Sequence, residues 1–356
     1  MIDFTSSLYL GFRHSSDALA PWASLTTGKP AALGTPALSA TVARALAELQ
    51  GCDAATLMPS TLHLYFDLFE MLRRDGIRIF IDAGAYPIAR WAVERVAALG
   101  VPVHRLPHYD ADATHRAIAA SGTLHPVIVA DGFCPSCGRA APLEGYLDGI
   151  VPRRGYLVLD DTQALGIWGE HPGRRHPYGR GGGGSLRRHG VRSPHVILGS
   201  SLAKGFGAPL AALSGDAALI RRFERHSETR VHSSPPSLAV LHAARRALVL
   251  NAGSGEALRE RLARLVGCLQ EAIDELDVRL PRTLFPVQAI ALDHPLRRQQ
   301  HLAAQGINTA VVRGCDGGDK LVFVIRAEHR QSDIDRAVSA LSPFRASQEP
   351  RRGAHR

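Results

Sequence analysis

The stretch from residue 77 to residue 106, IRIFIDAGAYPIARWAVERVAALGVPVHRL, contains one strand–helix–strand unit. Its first part, Ile77–Asp82, is a short apolar run that ends in an acid, which predicts a buried strand. Pro87 then opens a helical pattern over residues 87–99, because proline is favoured in the first turn of a helix. Residues 101–106 form a second apolar run. This order predicts two parallel strands joined by a crossover helix in an α/β fold.

The same alternation continues through the middle of the chain. Further strands are predicted at residues 125–130, 155–159 and 195–198. Short apolar strands that alternate with helices indicate a mostly parallel sheet covered by helices on both faces. Ligands of such sheets bind beyond the carboxyl ends of the strands. The polar residues that follow the predicted strands are Asp82, Asp131, Asp160, Ser200 and Ser201.

The pattern changes after about residue 235, where longer helices begin. Amphipathic helices are predicted at residues 238–250 and 256–276, strands at 287–292 and 321–325, and a closing helix at 332–341. We therefore predict a large domain and a smaller C-terminal α/β domain. The predicted boundaries are 1–40 for an N-terminal segment packing with the small domain, 41–235 for the large domain, 236–345 for the small domain, and 346–356 for a disordered basic tail.

A glycine-rich and arginine-rich stretch covers residues 169–190 and includes four consecutive glycines at 181–184. We predict a surface loop that is too glycine-rich and too charged to pack. Whether such a loop covers the ligand site or plays no part in binding is open from the sequence.

Composition places the chain among ordinary globular proteins, with 45% hydrophobic and 21% charged residues. No apolar run is long enough to span a bilayer, and the first residues lack the features of a signal peptide, so we expect a cytoplasmic protein without a membrane partner. The net charge is +9. Its arginines are scattered and not interleaved with aromatic residues, so no nucleic-acid partner is predicted. Polyanion binding is an alternative that salt-dependent retention would test.

The five cysteines form an odd and sparse set, which does not indicate a disulfide framework. Cys134 and Cys137 form a CxxC motif. A zinc site needs a second pair or histidines at ligand spacing, and neither is evident in the sequence. We therefore predict two ordinary thiols in a turn and no bound metal.

Lys204 is one of only three lysines, the others being Lys29 and Lys320. It lies in GSSLAKGFG, residues 199–207, directly after a predicted strand. The serine hydroxyls of this segment can bind a phosphate, and its glycines let a planar ligand approach the backbone. A desolvated amine has a lowered pKa and can form an imine with a carbonyl cofactor. The alternative for the segment alone is an exposed loop lysine.

Asp160 ends the strand predicted at residues 155–159 and would place its carboxylate in the cleft. A buried acid needs a cationic partner, and the protonated ring nitrogen of pyridoxal phosphate (PLP) is such a partner. A capping or salt-bridged aspartate is the alternative. Thr61 and Leu62 precede a helical pattern, where they either cap the helix or present N–H groups to a phosphate. Tyr86 is placed either to stack on a planar cofactor or simply to pack.

In their order along the chain these features resemble the α-oxoamine synthases, the family of 8-amino-7-oxononanoate synthase and 2-amino-3-ketobutyrate CoA ligase, within the fold-type I PLP-dependent transferases. The resemblance extends from residue 3 to about residue 341. The motifs that carry it are Tyr9-Leu10-Gly11, Ser60-Thr61-Leu62, Ala141-Pro142-Leu143, Asp160-Asp161-Thr162-Gln163, Ser201-Leu202-Ala203-Lys204-Gly205 and Ser233-Ser234-Pro235-Pro236.

The resemblance implies PLP as cofactor and a role for each matching residue. Lys204 would hold PLP as a Schiff base and move protons, and Asp160 would pair with the ring nitrogen. Gln163 and Tyr86 stand where the family has histidines, one near the phenolic oxygen and one stacked on the ring. The cofactor-binding set is Thr61, Leu62, Tyr86, Asp131, Asp160, Gln163, Ser201, Lys204, Ser233 and Ser234, of which Ser233 or Ser234 would reach the phosphate of the neighbouring subunit in a homodimer with the site at its interface.

The resemblance also implies a reaction, the decarboxylative condensation of an amino acid with an acyl-CoA or acyl-carrier thioester. The family arginine that grips the amino-acid carboxylate maps to Val322, and Arg326 would replace it if the strand register extends that far. An aminotransferase on the same fold is one alternative. A PLP-fold protein that has lost catalysis and acts as a binding partner is the other.

Overall fold

The structure is a computed structural model that describes residues 1–122, 124–276 and 283–341. The tail predicted at 346–356 lies outside these residues. The strands are β1 (Ile2–Asp3), β2 (Ala54–Met58), β3 (Ile77–Asp82), β4 (Val103–Leu106), β5 (His125–Asp131), β6 (Phe133–Cys134), β7 (Arg139–Ala140), β8 (Tyr156–Asp160), β9 (Val196–Ser201), β10 (Ala211–Gly215), β11 (Val287–Ile290), β12 (Ile307–Asn308), β13 (Ala310–Arg313) and β14 (Asp319–Val324). The helices are α1 (Ala37–Gln50), α2 (Thr61–Arg73), α3 (Pro87–Ala98), α4 (Ala111–Ala119), α5 (Leu143–Ile150), α6 (Ser185–His189), α7 (Ala217–His226), α8 (Glu228–His232), α9 (Leu238–Asp274), α10 (Pro295–Ala304) and α11 (Gln331–Leu341).

The central sheet has seven strands in the order β2-β10-β9-β8-β5-β3-β4. β10 is antiparallel to both of its neighbours, and the other pairs are parallel. Apart from the edge strand β4, whose first three residues are exposed, the strands are largely buried because helices cover both faces of the sheet. The predicted α/β class with a mostly parallel sheet is confirmed.

The carboxyl ends of six strands, all except β10, lie at one edge of this sheet. Asp131 pairs with Asp160 on the next strand, and Asp160 pairs with Gly199 just before the end of β9. Across β10, Ala211 is flanked by Ser201 on one side and by the last residue of β2 on the other. The polar residues that follow the predicted strands therefore lie together, as expected.

The long helices predicted at residues 238–250 and 256–276 are one continuous helix, α9, of 37 residues. The sequence between them, Asn251-Ala252-Gly253-Ser254-Gly255, resembles a break, but it continues the helix. At Gly255 a side chain would meet the guanidinium of Arg259 and the amide of Asn251 at 2.9 Å. The glycine therefore makes room for a buried arginine rather than ending the helix.

The glycine-rich stretch is only partly the surface loop that the sequence predicted. Residues 171–175 are exposed, but residues 182–186 are buried. Arg259 on α9 donates to the carbonyl oxygen of Gly166 at 3.0 Å, and Asn251 donates to that of Gly181 at 2.9 Å. A side chain at Gly183 would collide with the carbonyl oxygen of Leu49. The glycines thus allow close packing of backbones, and the prediction of an unpacked loop is wrong for residues 182–186.

The small domain contains an antiparallel sheet in the order β11-β14-β13, against which the N-terminal segment packs. β1 pairs in parallel with β12 through Ile2 and Ile307. Phe4 is fully buried and packs edge-on against Phe323 of β14. The first residues of the chain are therefore part of the structure around the small sheet. None of the helices in the described residues combines the length and apolar character required to cross a bilayer.

Candidate active site

A cavity of about 650 Å³ lies where the carboxyl edge of the central sheet faces the small sheet. The large domain contributes Tyr86, Asp131 and Gln163 to its wall, and the N-terminal segment contributes Ser7 and Tyr9. The small sheet contributes an apolar face formed by Val287, Ala289, Ala310, Val312, Val322 and Val324. A cavity of this size with a few polar groups on one side is typical of a small-molecule site.

Lys204 lies in the turn that follows β9, and its Nζ is 5.6 Å from the ring centroid of Tyr86. Burial lowers the pKa of Lys204, while the charges of Asp160 and Asp131 oppose this effect. A lowered pKa increases the fraction of neutral amine, the form that reacts with a carbonyl. The other two lysines differ, since Lys29 is exposed and Lys320 donates to the carbonyl oxygen of Ser136.

Asp160 is 7% exposed and ends β8 at the same edge. Its Oδ1 accepts a hydrogen bond from the backbone N–H of Thr162 at 3.0 Å, and the hydroxyl oxygen of Thr162 accepts one from the N–H of Ser201 at 2.9 Å. These bonds fix the turns after β8 and β9 to each other. A carboxylate this deeply buried is costly unless a positive charge or donor lies against it, so the position fits a protonated ring nitrogen.

Asp131 lies beside Asp160 and is tied to Tyr86, whose backbone N–H donates to Oδ1 of Asp131 at 3.0 Å. Burial raises the pKa of Asp131 well above its usual value, and the charge of Asp160 adds to the rise. Two neighbouring enclosed carboxyls cannot both ionise easily. The buried position of Asp131 therefore favours the protonated form of its carboxyl.

The phosphate-binding positions predicted from the sequence lie at the start of α2. Ser60 caps this helix by accepting from the N–H of His63 at 3.5 Å, which leaves the first N–H groups, those of Thr61 and Leu62, at the open end. Ser201 ends β9 at the same edge, and its hydroxyl accepts from the N–H of Ala203 at 3.3 Å. Helix N–H groups beside a serine hydroxyl fit a phosphate.

Gln163 is held by a contact that the sequence did not predict. The hydroxyl of Tyr9 donates to Oε1 of Gln163 at 2.5 Å. Burial raises the pKa of Tyr9, so the phenol keeps its proton. Because Oε1 is occupied, the two N–H donors of the amide remain for another acceptor in the cavity wall. The motif Tyr9-Leu10-Gly11 was noted in the sequence, but nothing there linked it to residue 163.

Tyr65 on α2 is a second group that sequence reasoning missed. Its hydroxyl lies under the central sheet, where a side chain at Gly199 would come within 2.5 Å of it. Burial, followed by the charge of Asp160, raises the pKa of Tyr65. A glycine inside the apolar strand of residues 196–201 is the sequence signal that another group approaches the backbone there.

No family model matches the chain, and its curated relatives include 8-amino-7-oxononanoate synthases. An 8-amino-7-oxononanoate synthase of Bordetella petrii is 31% identical over 246 residues, which cover 66% of this chain and 59% of the relative. One from Cupriavidus necator is 24% identical over an alignment of 368 residues, which covers 98% of this chain and 89% of the relative. The alignments of the first three curated relatives span 59–61% of their length.

Solved structures give the same result for the fold. A serine palmitoyltransferase of Sphingomonas wittichii superposes with a TM-score of 0.83 at 17% identity, covering 96% of this chain and 86% of that one. An 8-amino-7-oxononanoate synthase of Francisella tularensis gives 0.77 at 17% identity and covers 97% of both chains. The fold is that of the fold-type I PLP enzymes. The resemblance to the α-oxoamine synthases is confirmed.

Arg326, the arginine predicted to bind a substrate carboxylate, does not lie at the cavity. β14 ends at Val324, so the alternation that turns Val322 and Val324 toward the cavity does not reach Arg326. The guanidinium of Arg326 instead donates to the carbonyl oxygen of Asp3 at 3.1 Å and lies 3.5 Å from the carboxylate of Glu328. Arg326 therefore does not line the cavity, and its role as a substrate ligand is not supported by this geometry.

The cations that do line the cavity are Arg90 and Arg313, which the sequence did not single out. Ser233 and Ser234 do not line the cavity of their own chain; the hydroxyl of Ser233 donates to the carbonyl oxygen of Thr229 at 2.5 Å, and Ser234 is exposed. Of the predicted set, the structure places Tyr86, Asp131 and Gln163 in the cavity wall, whereas Asp160 and Ser201 end strands at the adjoining sheet edge and Lys204 follows β9.

Proposed function

We propose that the protein is a PLP-dependent transferase that condenses an amino acid with an acyl thioester, as its resemblance to the α-oxoamine synthases implies. One observation carries the proposal: Lys204 lies in the turn after β9 with its Nζ 5.6 Å from the ring centroid of Tyr86, a residue of the cavity wall, and the charges of Asp160 and Asp131 act on its amine. Structures of the similar serine palmitoyltransferase contain PLP, which supports the same cofactor here.

The residues present fit this cofactor. Lys204 would carry it covalently, Asp160 would face its ring nitrogen, and the ring of Tyr86 would stack on it. The N–H groups of Thr61 and Leu62, together with the hydroxyl of Ser201, would hold its phosphate. Ser233 or Ser234 of a second copy would complete the phosphate site, so the proposal includes a homodimer. When bound, PLP supplies an electron sink for the carbon beside the substrate amine.

The protein itself contributes proton transfer, orientation and exclusion of water. The amine of Lys204 is the group placed to take a proton from the substrate carbon and to return one. Asp160 keeps a negative charge where the cation must stay, and the Tyr9–Gln163 pair presents amide donors in a fixed direction. Gln163 cannot titrate, unlike a histidine, so the lysine is the acid–base group of this set.

The residues with which the small sheet lines the cavity indicate which part of a substrate would bind against them. Six of its seven cavity-lining residues are apolar, including Val322 at the position of the family arginine, and the seventh is Arg313 at the end of β13. An apolar surface fits the acyl part of a thioester and cannot bind a carboxylate. We therefore propose that a substrate carboxylate binds near Arg90 or Arg313, the two arginines of the cavity wall, with the acyl chain against the small sheet.

The first experiment measures visible absorbance of the purified protein with added PLP. We expect a Schiff-base band that borohydride abolishes and that Lys204→Ala never shows, whereas the exposed lysine variant Lys29→Ala keeps it. Reduction followed by peptide mapping should place the cofactor on residue 204. A wild type that stays colourless with PLP, or a Lys204→Ala variant that retains the band, would reject the proposal.

The second experiment separates the reaction types with the holoenzyme. A panel of amino acids with acyl-CoA should release CoA and CO2 together, one of each for every amino ketone formed. Amino-group transfer to a keto acid without CoA release would instead identify an aminotransferase. Full PLP binding with neither reaction would favour the third interpretation, a binding partner without catalysis.

A further inference from the structure

Four potential metal ligands meet outside the PLP-site residues. His108, Cys134, Cys137 and Cys315 each offer one ligand atom, and these atoms all lie within 4.8 Å of one another. Cys134 ends β6 and Cys137 lies in the turn before β7, so the CxxC motif forms one half of the group. His108 follows β4, and Cys315 lies in the turn between β13 and β14. Long-range folding thus supplies the second pair of ligands that the sequence did not reveal.

Three sulfurs and one imidazole nitrogen are a standard ligand set for structural zinc. Tetrahedral zinc holds sulfur at about 2.3 Å and nitrogen at about 2.0–2.1 Å, which places neighbouring ligands roughly 3.5–4 Å apart. His108 Nε2 already lies 3.4 Å from Sγ of Cys137. The remaining ligand atoms fall within 4.8 Å, so a shift of about 1 Å in side-chain positions would close the tetrahedron.

The orientation of His108 is an independent observation that points to a metal. Its Nδ1 donates to Oδ1 of Asp82 at 2.6 Å, and the same oxygen accepts from the backbone N–H of Gly84 at 2.7 Å. The second oxygen of Asp82 accepts from the N–H of Tyr109 at 2.7 Å. Because the carboxylate of Asp82 accepts from Nδ1, the nitrogen that faces Cys137, Nε2, is the one left to bind a metal. A carboxylate behind a ligating imidazole is the arrangement that orients zinc ligands in proteins.

Hydrogen bonds at Ser136 hold the segments that carry the cysteines next to each other. The hydroxyl of Ser136 accepts from the backbone N–H of Cys315 at 3.1 Å, and its carbonyl oxygen accepts from Nζ of Lys320 at 2.9 Å. These bonds hold the turn of the small sheet against the hairpin that carries Cys134 and Cys137.

We propose that His108, Cys134, Cys137 and Cys315 bind one zinc ion as a closed structural site. Three ligands come from the large domain and Cys315 comes from the small domain, so the ion would join the two beside the cavity. Cys134 and Cys315 also line that cavity. Four protein ligands leave no open position, so the role is to fix the apolar small sheet in place and not to activate water. This assignment does not depend on the reaction proposed above.

The test measures the metal content of the full-length protein, expressed with zinc, purified under reducing conditions and dialysed. We expect about one zinc per chain, falling to near zero in Cys315→Ser and Cys137→Ser. Cys268→Ser is the matched control, because Cys268 lies on α9 outside the cluster, and it should keep its zinc. Substituting cobalt should give the intense visible bands of a tetrahedral thiolate site. Protein that holds no metal after reconstitution with zinc, or a Cys315→Ser variant as rich in zinc as the control, would overturn the assignment.

A second measurement needs no variant and covers the case in which Cys315→Ser fails to fold. Native protein is treated with a thiol-alkylating reagent with and without a chelator, and the modified peptides are identified by mass spectrometry. We expect cysteines 134, 137 and 315 to react only after chelation, while labelling of Cys268 is unchanged. Equal labelling of the three in both samples, or a Cys134–Cys137 disulfide in place of protected thiols, would contradict a zinc site. The same chelation should increase amide hydrogen exchange in the β13–β14 hairpin.

Discussion

The buried guanidinium of Arg259 makes a stability prediction that can be worked from its contacts. Arg259 is 2% exposed and donates to the carbonyl oxygen of Gly166 at 3.0 Å, to Oδ1 of Asn251 at 2.7 Å and to the carboxylate of Glu256 at 2.7 Å. Replacing it by methionine keeps the aliphatic volume and removes all three donors. The change tests whether this arginine holds the glycine run of residues 181–184 against α9.

The three contacts of Arg259 contribute different amounts to the free energy of unfolding. The carboxylate of Glu256 is 42% exposed, so its ion pair is screened by solvent and contributes about 0.5 kcal/mol. The two other acceptors become buried without donors, which costs about 1–3 kcal/mol each. Arg259→Met should therefore lower the free energy of unfolding by about 2.5–6.5 kcal/mol. That is a large part of the roughly 5–15 kcal/mol typical of a native protein.

Urea unfolding followed by circular dichroism measures this change, with Arg264→Met as the control. Arg264 is an exposed residue of the same helix, and its replacement should change stability by no more than about 0.5 kcal/mol. Hydrogen exchange should rise in residues 181–186 of the Arg259→Met variant but not in the control. A loss below about 1 kcal/mol, or equal losses in both variants, would refute the reasoning.

Three further predictions concern single groups. Burial raises the pKa of Asp161 to about 7, so between about pH 4 and pH 7 the native state binds more protons than the unfolded state, and stability falls as pH rises by up to about 4 kcal/mol. Asp161→Asn, which can still accept from Ser185, should remove that dependence when urea unfolding is compared at pH 5 and pH 8. Tyr9→Phe removes the donor that orients Gln163 and should weaken PLP affinity roughly 2–10-fold in an absorbance titration, with no additional loss in a Gln163→Ala background. Because its pKa is lowered, Lys204 should form the Schiff base at a lower pH than a free lysine, and an identical pH midpoint would count against the burial argument.

Local sequence patterns were sufficient for strands whose own residues define them. Ile77–Asp82 was predicted with its observed bounds because β-branched and aromatic residues fill it. β10 was not identified, since Ala211-Ala212-Leu213-Ser214-Gly215 has weak strand propensity and depends on hydrogen bonds from the strands on both sides. The helix α9 was divided at its glycines because the partner that explains Gly255 is a side chain on the next turn.

The same difference between local patterns and long-range contacts applies to the candidate site. Asp160 is the last residue of β8 and Lys204 lies three residues beyond β9, so the strand pattern alone predicts that both lie at the carboxyl edge of the sheet. Tyr9 and Gln163 are 154 residues apart, and Cys315 comes from a distant part of the chain to meet His108 and the CxxC motif. No spacing rule in a single sequence reveals such contacts. The prediction that Arg326 binds a substrate required β14 to continue two residues past Val324, but the strand ends there.

The N-terminal segment connects the two halves of the cavity mechanically. At one end β1 pairs with β12, and the carbonyl oxygen of Asp3 accepts a hydrogen bond from Arg326. A few residues later, the ring of Tyr9 reaches across to Gln163 in the large domain. Rotation of the small domain would therefore pull on the amide of Gln163 through a tether of six residues or so. A truncated or bulky N-terminus should accordingly disturb cofactor binding before it disturbs folding, although no residue before Thr5 touches the cavity.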